Sequence, residues 1–104
     1  MDKAGVLTLL GFAQKGKNLA AGEANVEAYL KKGKVALLLI AGDQSDKNQS
    51  KWQYLARECG IEAIVFATKE ELGHAVGMSP RGIIGITDEQ MAKAIKHKLI
   101  VLDN

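Results

Sequence analysis

The stretch Val35–Ala41, which reads VALLLIA, constrains the fold of this chain more than any other feature. It is too short to cross a bilayer, which takes about 20 apolar residues. A continuous apolar run of this length is typical of a β-strand that is covered on both faces. We therefore predict a central strand here, in a sheet that carries helices on each side.

Helical and strand-like patterns alternate on both sides of this run. Helical periodicity predicts helices over 4–14, 22–32 and 68–76. A further helix follows a polar loop at 42–49 and ends at Gly60, and the last one begins at the capping box 87–90. The predicted strands cover 18–21, 35–41, 61–67, 81–87 and, at the edge, 99–102. The pattern predicts an α/β fold, a three-layer α/β/α sandwich around a mixed four- or five-stranded sheet that is mostly parallel internally.

The length of 104 residues and a hydrophobic content of 47% predict a single domain over residues 1–104. The N-terminus lacks a signal-peptide pattern, and we expect a cytoplasmic protein that does not enter a membrane. Cys59 is the one cysteine, so an internal disulfide is excluded. With only His74 and His97 beside it, the sequence shows no zinc-ligand spacing.

Positive charge is concentrated near the N-terminus. The net charge is only +2, but residues 1–34 hold six lysines against three carboxylates. Lysines displace counterions from phosphate, so this bias permits binding of nucleic acid without requiring it.

The residues that could support catalysis have simpler interpretations. The segment Gly11–Lys17 has the G-x-x-x-x-G-K spacing of a phosphate-binding loop, but Asn18 stands where that loop needs Ser or Thr, and it runs from helix into strand. The carboxylates fall in loops and first turns of helices, where they complement the helix dipole. Cys59 is predicted to be a buried structural thiol, and Trp52 to pack in the core. We expect no enzyme activity, cofactor, metal or small-molecule substrate.

The start of the second predicted helix suggests an anion-binding site instead. Gly22 precedes a helix whose first backbone amides are free, an arrangement that binds phosphate. Lys15, Lys17 and Asn18 lie just before it in the sequence. We expect the loops at 42–44 and 77–81 to converge on the same end of the sheet, so that Lys15, Lys17, Lys47 and Arg81 surround one shallow site.

These residues resemble the L-seven-Ae and L-thirty-e ribosomal protein family. The similarity rests on Gly22, Gly33, the run Lys34–Ala41 and the segment Thr68–Gly77, and it extends over nearly the whole chain. The segments 14–17 and 79–81 are most similar to the bacterial YlxQ-like branch. The resemblance implies a three-layer fold that binds RNA, typically kink-turns, through the start of the second helix and the loop before strand 81–87.

In such complexes the helix start contacts the bent RNA, and the loop covers extruded nucleotides. The resemblance and the helix start together give a candidate RNA-binding set: Lys15, Lys17, Asn18, Gly22, Glu23, Asn25, Ser79 and Arg81. The expected partner is ribosomal or other structured RNA, with the ribosome as a further possible partner.

The helix start departs from the motif of the kink-turn binders. They carry Asn-Glu or Lys-Gln followed by Lys, whereas this chain has Ala24, Glu27 and Ala28 in the corresponding stretch 24–28. A protein-interaction module of the same fold that has lost kink-turn binding is therefore the alternative hypothesis.

Overall fold

The computed structural model describes residues 2–100, which form five helices and four strands. In chain order these are α1 (Lys3–Lys15), β1 (Leu19–Ala21), α2 (Glu23–Lys31), β2 (Leu37–Ile40), α3 (Asp46–Glu58), β3 (Glu62–Val65), α4 (Lys69–Ala75), β4 (Ile83–Ile86) and α5 (Glu89–Ile100). None of the helices within residues 2–100 is long and apolar enough to cross a membrane.

The sheet is mixed, with the strand order β1-β4-β2-β3. β2 and β3 are parallel, whereas β4 runs antiparallel to both of its neighbours, β1 and β2. The prediction of a mixed four- or five-stranded sheet is confirmed with four strands in the described residues. The expectation that it is mostly parallel internally is wrong. The amide of Arg81 donates to the carbonyl oxygen of Lys69 at 3.0 Å, so the chain returns beside the start of α4 and enters β4 from the end where β3 leaves the sheet.

Alternate side chains of β2 point into two separate cores, which confirms the three-layer arrangement. Leu37 and Leu39 pack with α1, α4 and α5 on one face. Leu38 and Ile40 pack with α2 and α3 on the other. All four are fully buried and β2 has a neighbour on each side, as the apolar run 35–41 predicts. Each such side chain contributes about 1.5–3 kcal/mol by its burial.

Side-chain caps fix where the helices begin. Thr68 and Glu71 form the predicted capping box of α4. α3 begins at Asp46, inside the predicted polar loop, because the Ser45 hydroxyl accepts a hydrogen bond from the Asn48 amide at 3.1 Å. A carboxylate oxygen of Asp88, rather than Thr87, accepts from the Met91 amide at 2.8 Å at the start of α5.

Three predictions about the end of the chain and the inward faces need correction. Leu99 and Ile100 are helical, so the edge strand at 99–102 is wrong for these two residues, and 101–102 lie outside the described residues. Ala94 is exposed because α5 buries residues 92, 95 and 99 instead. Cys59 is exposed because α3 ends at Glu58 and the cysteine lies in the turn that follows, whereas Trp52 is fully buried as predicted.

Candidate nucleic-acid interface

The ends of β1, β2 and β3 meet the start of β4 at one end of the sheet. The Gly22 amide donates to the carbonyl oxygen of Ile83 at 2.9 Å, and the Ala41 amide donates to that of Gly82 at 2.9 Å. The Gly42 amide donates to the carbonyl oxygen of Ala67 at 2.8 Å. We call this end, formed by residues 22–25, 41–45, 67–69 and 79–83, the Gly22 edge. The predicted convergence of Gly22 with the loops at 42–44 and 77–81 is confirmed.

The start of α2 is open at this edge. Gly22 has φ 91° and ψ 154°, a backbone conformation that is essentially restricted to glycine. It provides no side-chain cap, and the amides of Glu23, Ala24 and Asn25 have no acceptor among the described residues. The Asn25 side chain turns back instead, and its amide nitrogen donates to the carbonyl oxygen of Ala21 at 3.2 Å. Three amides and the positive end of the helix dipole therefore face outward.

The side chain of Arg81 lies directly against Gly22. A β-carbon added at Gly22 would be 3.6 Å from Cδ of Arg81. The Nη1 atom of this guanidinium donates to the backbone oxygen and the hydroxyl of Ser79, at 3.1 and 2.7 Å, and to the carbonyl oxygen of Pro80 at 3.2 Å. Its Nε and Nη2 atoms have no acceptor among residues 2–100. Arg81 thus places unused donors beside the open amides of α2.

The loop that carries Ser79 and Arg81 is held in place by close packing on α4. A β-carbon at Gly73, which lies within α4, would be only 2.2 Å from the backbone oxygen of Ser79. The loop can approach the helix this closely only because Gly73 has no side chain.

Three residues outside the predicted set organise the rest of the Gly22 edge. Gln44 donates through Nε2 to the carbonyl oxygen of Gly82 at 2.8 Å, and its Oε1 accepts from Nδ2 of Asn48. The same Asn48 nitrogen lies 3.5 Å from Oε2 of Glu23, and Nζ of Lys51 lies 4.0 Å from Oε1 of that carboxylate. The capping pattern of Ser45 is the sequence signal that places Gln44 and Asn48 at a helix start, and the interpretation of 42–49 as a loop missed it.

Positive charge does not dominate this edge. The nearby segments carry charges of both signs. The positive residues are Lys47, Lys51, Lys69 and Arg81, and the negative residues are Glu23, Asp43, Asp46 and Glu70. Asp43 accepts a hydrogen bond from the Lys69 amide at 2.9 Å, which joins the β2–α3 loop to the start of α4. The chemistry of the edge is therefore that of directed donors rather than of a strong positive field.

Lys15, Lys17 and Asn18 lie at the opposite end of the sheet. The Thr87 amide, just after β4, donates to the carbonyl oxygen of Asn18 at 2.8 Å, so Asn18 stands where β4 ends. The predicted single cluster of Lys15, Lys17, Lys47 and Arg81 is thus wrong in geometry. The turn of Lys15, Lys17 and Asn18 precedes β1, whereas Gly22 follows it. The three residues of β1 therefore separate the turn from Gly22 by about 10 Å. The structure brings together Gly22, Glu23, Asn25, Ser79 and Arg81 and leaves the other three predicted residues apart.

Comparison with known proteins is consistent with this fold. Residues 4–96 match the family described as Ribosomal protein L7Ae/L30e/S12e/Gadd45, which defines the chain as a ribosomal-protein-like α/β/α domain. The chain belongs to this L7Ae/L30e/S12e/Gadd45 family. Membership supports RNA binding in general.

Many solved structures are similar to the chain, and two of them illustrate the range. A protein of unknown function from Bacillus halodurans has a TM-score of 0.85 and 26% identity, with 90% of this chain and 95% of that chain covered. The Giardia lamblia 15.5kD RNA binding protein has a TM-score of 0.74 and 18% identity, with 90% of this chain and 81% of that chain covered, and shows the shared fold. A search of curated protein sequences finds no match to this chain.

Proposed function

We propose that this protein is a non-catalytic, cytoplasmic RNA-binding protein of ribosomes or ribosome assembly, and that it binds structured, kink-turn-like RNA at the Gly22 edge. The observation that carries the proposal is the juxtaposition of two sets of unused donors, the first-turn amides of α2 and the guanidinium of Arg81. Membership of a ribosomal protein family supplies the class of ligand.

The chemistry of the edge favours recognition of shape. Backbone amides and a guanidinium bond phosphate oxygens and unpaired base edges but do not form the basic field that binds any duplex. Glu23 contributes an acceptor beside those donors, with Asn48 at 3.5 Å and Lys51 at 4.0 Å from its carboxylate. An edge with both donors and an acceptor suits an RNA that exposes unpaired bases next to its backbone, as a sharp bend in a helix does.

The direct test compares two RNAs of equal length and charge. One forms a kink-turn, and in the other the bulged strand is paired so that the duplex is uninterrupted. We expect the kink-turn RNA to bind at least about tenfold more tightly, a difference of about 1.4 kcal/mol. Equal affinity for the two RNAs would contradict shape recognition, and binding of neither would contradict the proposed function.

The alternative function is a protein-interaction module that has lost kink-turn binding. It is motivated by Ala24 and Ala28, which leave two positions of the helix start without hydrogen-bonding side chains, and by Glu27, whose charge is directed to Lys31 at 3.5 Å. Isolation of the tagged protein from cells, with and without nuclease, separates the two functions. Ribosomal material that disappears after nuclease supports RNA binding, whereas partners that persist support the alternative.

A further inference from the structure

The outer side of β1 carries a shallow groove that joins the two ends of the sheet. β1 pairs with β4 on one side, and no described strand pairs with its other side. The groove there is lined by Gln14, Leu19, Ala20, Ala21, Asn25, Tyr29 and Met78. Asn25 belongs to the Gly22 edge and Met78 directly precedes its residues 79–83, while Gln14 adjoins the turn of Lys15 and Lys17. The groove therefore runs from the Gly22 edge to that turn. We call it the β1 groove.

Among residues 2–100, no carboxylate lines the β1 groove. Four other surface depressions in the described part of the chain each contain at least one, such as Glu71, Glu62, Glu23 or Glu89. A negatively charged chain can therefore lie along β1 without like-charge repulsion from the groove walls. The side-chain amides of Gln14 and Asn25 add polar groups to its sides.

The groove also offers surfaces on which a base can stack. Tyr29 is 40% exposed and Met78 is 37% exposed. The ammonium group of Lys32 lies 5.9 Å from the centre of the Tyr29 ring. Aromatic rings beside basic groups are the usual elements of single-strand binding, because every base has a face that stacks and every nucleotide has a phosphate.

Near Gln14, the end of the β1 groove lies next to positive charge that is not neutralised. Lys15 and Lys17 are exposed and form no ion pair among residues 2–100, whereas Lys31 and Lys96 are paired with glutamates. Lys17 is held in the left-handed region, with φ 60°, and its amide donates to the carbonyl oxygen of Gln14 at 3.1 Å. The turn therefore fixes the backbone that carries both lysines.

We propose that the β1 groove binds a single-stranded segment of RNA that continues from the structured RNA at the Gly22 edge, with a base on Tyr29 and phosphates at Lys15 and Lys17. This inference rests on the proposed function. A peptide strand added to β1 is a poorer occupant, because β1 offers only three residues and Asn25 already donates to the carbonyl oxygen of Ala21.

The experiment uses three RNA probes with the full chain: a blunt kink-turn RNA, the same RNA with a ten-uridine tail, and the ten-uridine oligomer alone. We expect the tail to tighten binding by the wild-type chain. Tyr29→Ala should weaken binding of the tailed RNA at least about fivefold, the lower limit for the loss of one stacked base. The same variant should bind the blunt RNA as tightly as the wild type does. Tyr29→Phe keeps the ring and the gain, and Tyr54→Ala, at an exposed tyrosine of α3, serves as the matched control.

Salt dependence tests the lysines. In the double variant Lys15→Ala, Lys17→Ala we expect the slope of affinity against salt to fall by about 0.7 per lost single-strand phosphate contact, for the tailed RNA only. The control Arg57→Ala, Lys93→Ala changes the net charge equally at exposed residues outside the groove lining and leaves the slope unchanged.

The outcomes separate the groove from the proposed function. A tail that adds no affinity, or a gain that survives both Tyr29→Ala and the lysine double variant, overturns the groove while binding of the blunt RNA still supports the Gly22 edge. If the blunt RNA is not bound, the proposed function fails and the groove is judged on the ten-uridine oligomer. Binding of that oligomer must then be weakened by Tyr29→Ala and by the lysine double variant. If the oligomer does not bind, or if these variants do not weaken its binding, the inference is overturned.

Discussion

Nη1 of Arg81 donates to the hydroxyl oxygen of Ser79 at 2.7 Å, so a guanidinium at the proposed RNA site is fixed by its own loop. The same nitrogen is also within hydrogen-bond distance of the carbonyl oxygens of Ser79 and Pro80, so its two hydrogens are shared among three acceptors. The remaining donors keep a set direction next to the start of α2. A charge that is already oriented loses little side-chain entropy when a ligand binds.

Replacement of Arg81 by alanine should weaken binding of the blunt kink-turn RNA and lower its salt slope by about one. Arg81→Lys keeps the charge but lacks the forked donors of a guanidinium. We expect its salt slope to be close to that of the wild type and its affinity to remain lower. Fluorescence titration at several salt concentrations measures both quantities. Arg57→Ala is the matched control, since Arg57 is an exposed arginine of α3 outside the Gly22 edge. An affinity for Arg81→Ala equal to that of the wild type would remove the guanidinium from the site.

Gly22→Ala should lower the free energy of unfolding by about 1–3 kcal/mol, because φ 91° with ψ 154° is strained for any residue with a β-carbon. The added methyl group would meet Arg81 only at 3.6 Å, so backbone strain and not a clash is the cause. Urea denaturation gives the measurement. Gly42→Ala, at the end of β2 and outside the left-handed region, should change stability by no more than about 1 kcal/mol. Similar losses in the two variants would contradict the assignment of strain to Gly22.

Gly73→Ala should displace the loop of Ser79 and Arg81, because the new methyl group would lie 2.2 Å from the backbone oxygen of Ser79. Overpacking of this kind costs about 1–3 kcal/mol of stability, and the shifted loop should also weaken RNA binding. Ala94→Gly, at an exposed position in the interior of α5, costs about 1 kcal/mol and controls for simple loss of stability. Unfolding curves and RNA titrations of both variants make the comparison. RNA binding by Gly73→Ala at the wild-type affinity would show that the loop position does not matter.

The pH dependence of stability should reflect the carboxyl group of Glu71. The ammonium group of Lys3, 2.7 Å away, lowers the pKa of this carboxyl group from its ordinary value of 4.5, and the Thr68 amide of the capping box adds to the effect. A lowered pKa in the folded state means that the contribution is complete above pH 4.5 and is lost as the pH falls through the folded value. The stability advantage of the wild type over Glu71→Gln should therefore shrink on acidification below pH 4.5, as measured by urea unfolding across that range.

Glu58→Gln, an exposed carboxylate at the end of α3, controls for the loss of one negative charge. An advantage over Glu71→Gln that stays constant with pH would exclude the Lys3 contact as its source.

Local patterns predicted most of the fold. The apolar run at 35–41 identified a central buried strand, and Thr68 with Glu71 identified the start of α4, because each signal depends only on neighbouring residues. The direction of β4 could not be predicted in the same way. It depends on where the chain after α4 re-enters the sheet, and the bond between Arg81 and Lys69 that records this joins residues twelve positions apart.

The candidate site was predictable only in part. Gly22 and Arg81 were identified, and their juxtaposition follows from the convergence of loops at one end of a sheet. Lys15 and Lys17 are close to Gly22 in sequence but not in space, because β1 lies between them, and the sequence spacing alone does not reveal this. Gln44 was missed because its hydrogen bond to Gly82 crosses 38 residues. The exposure of Cys59 followed from an end of α3 that apolar spacing alone does not reveal.

The brevity of β1 restricts how this chain can change. Its alternating side chains put Ala20 in one core and Ala21 in the other, so a gain or loss of a single residue would exchange the two faces of the strand. β1 can be lengthened only in steps of two residues. Each step would move the lysine turn, which carries Lys15 and Lys17, about 7 Å farther from Gly22. Homologous chains that retain both the glycine before α2 and the lysine turn should therefore keep the same number of residues between them.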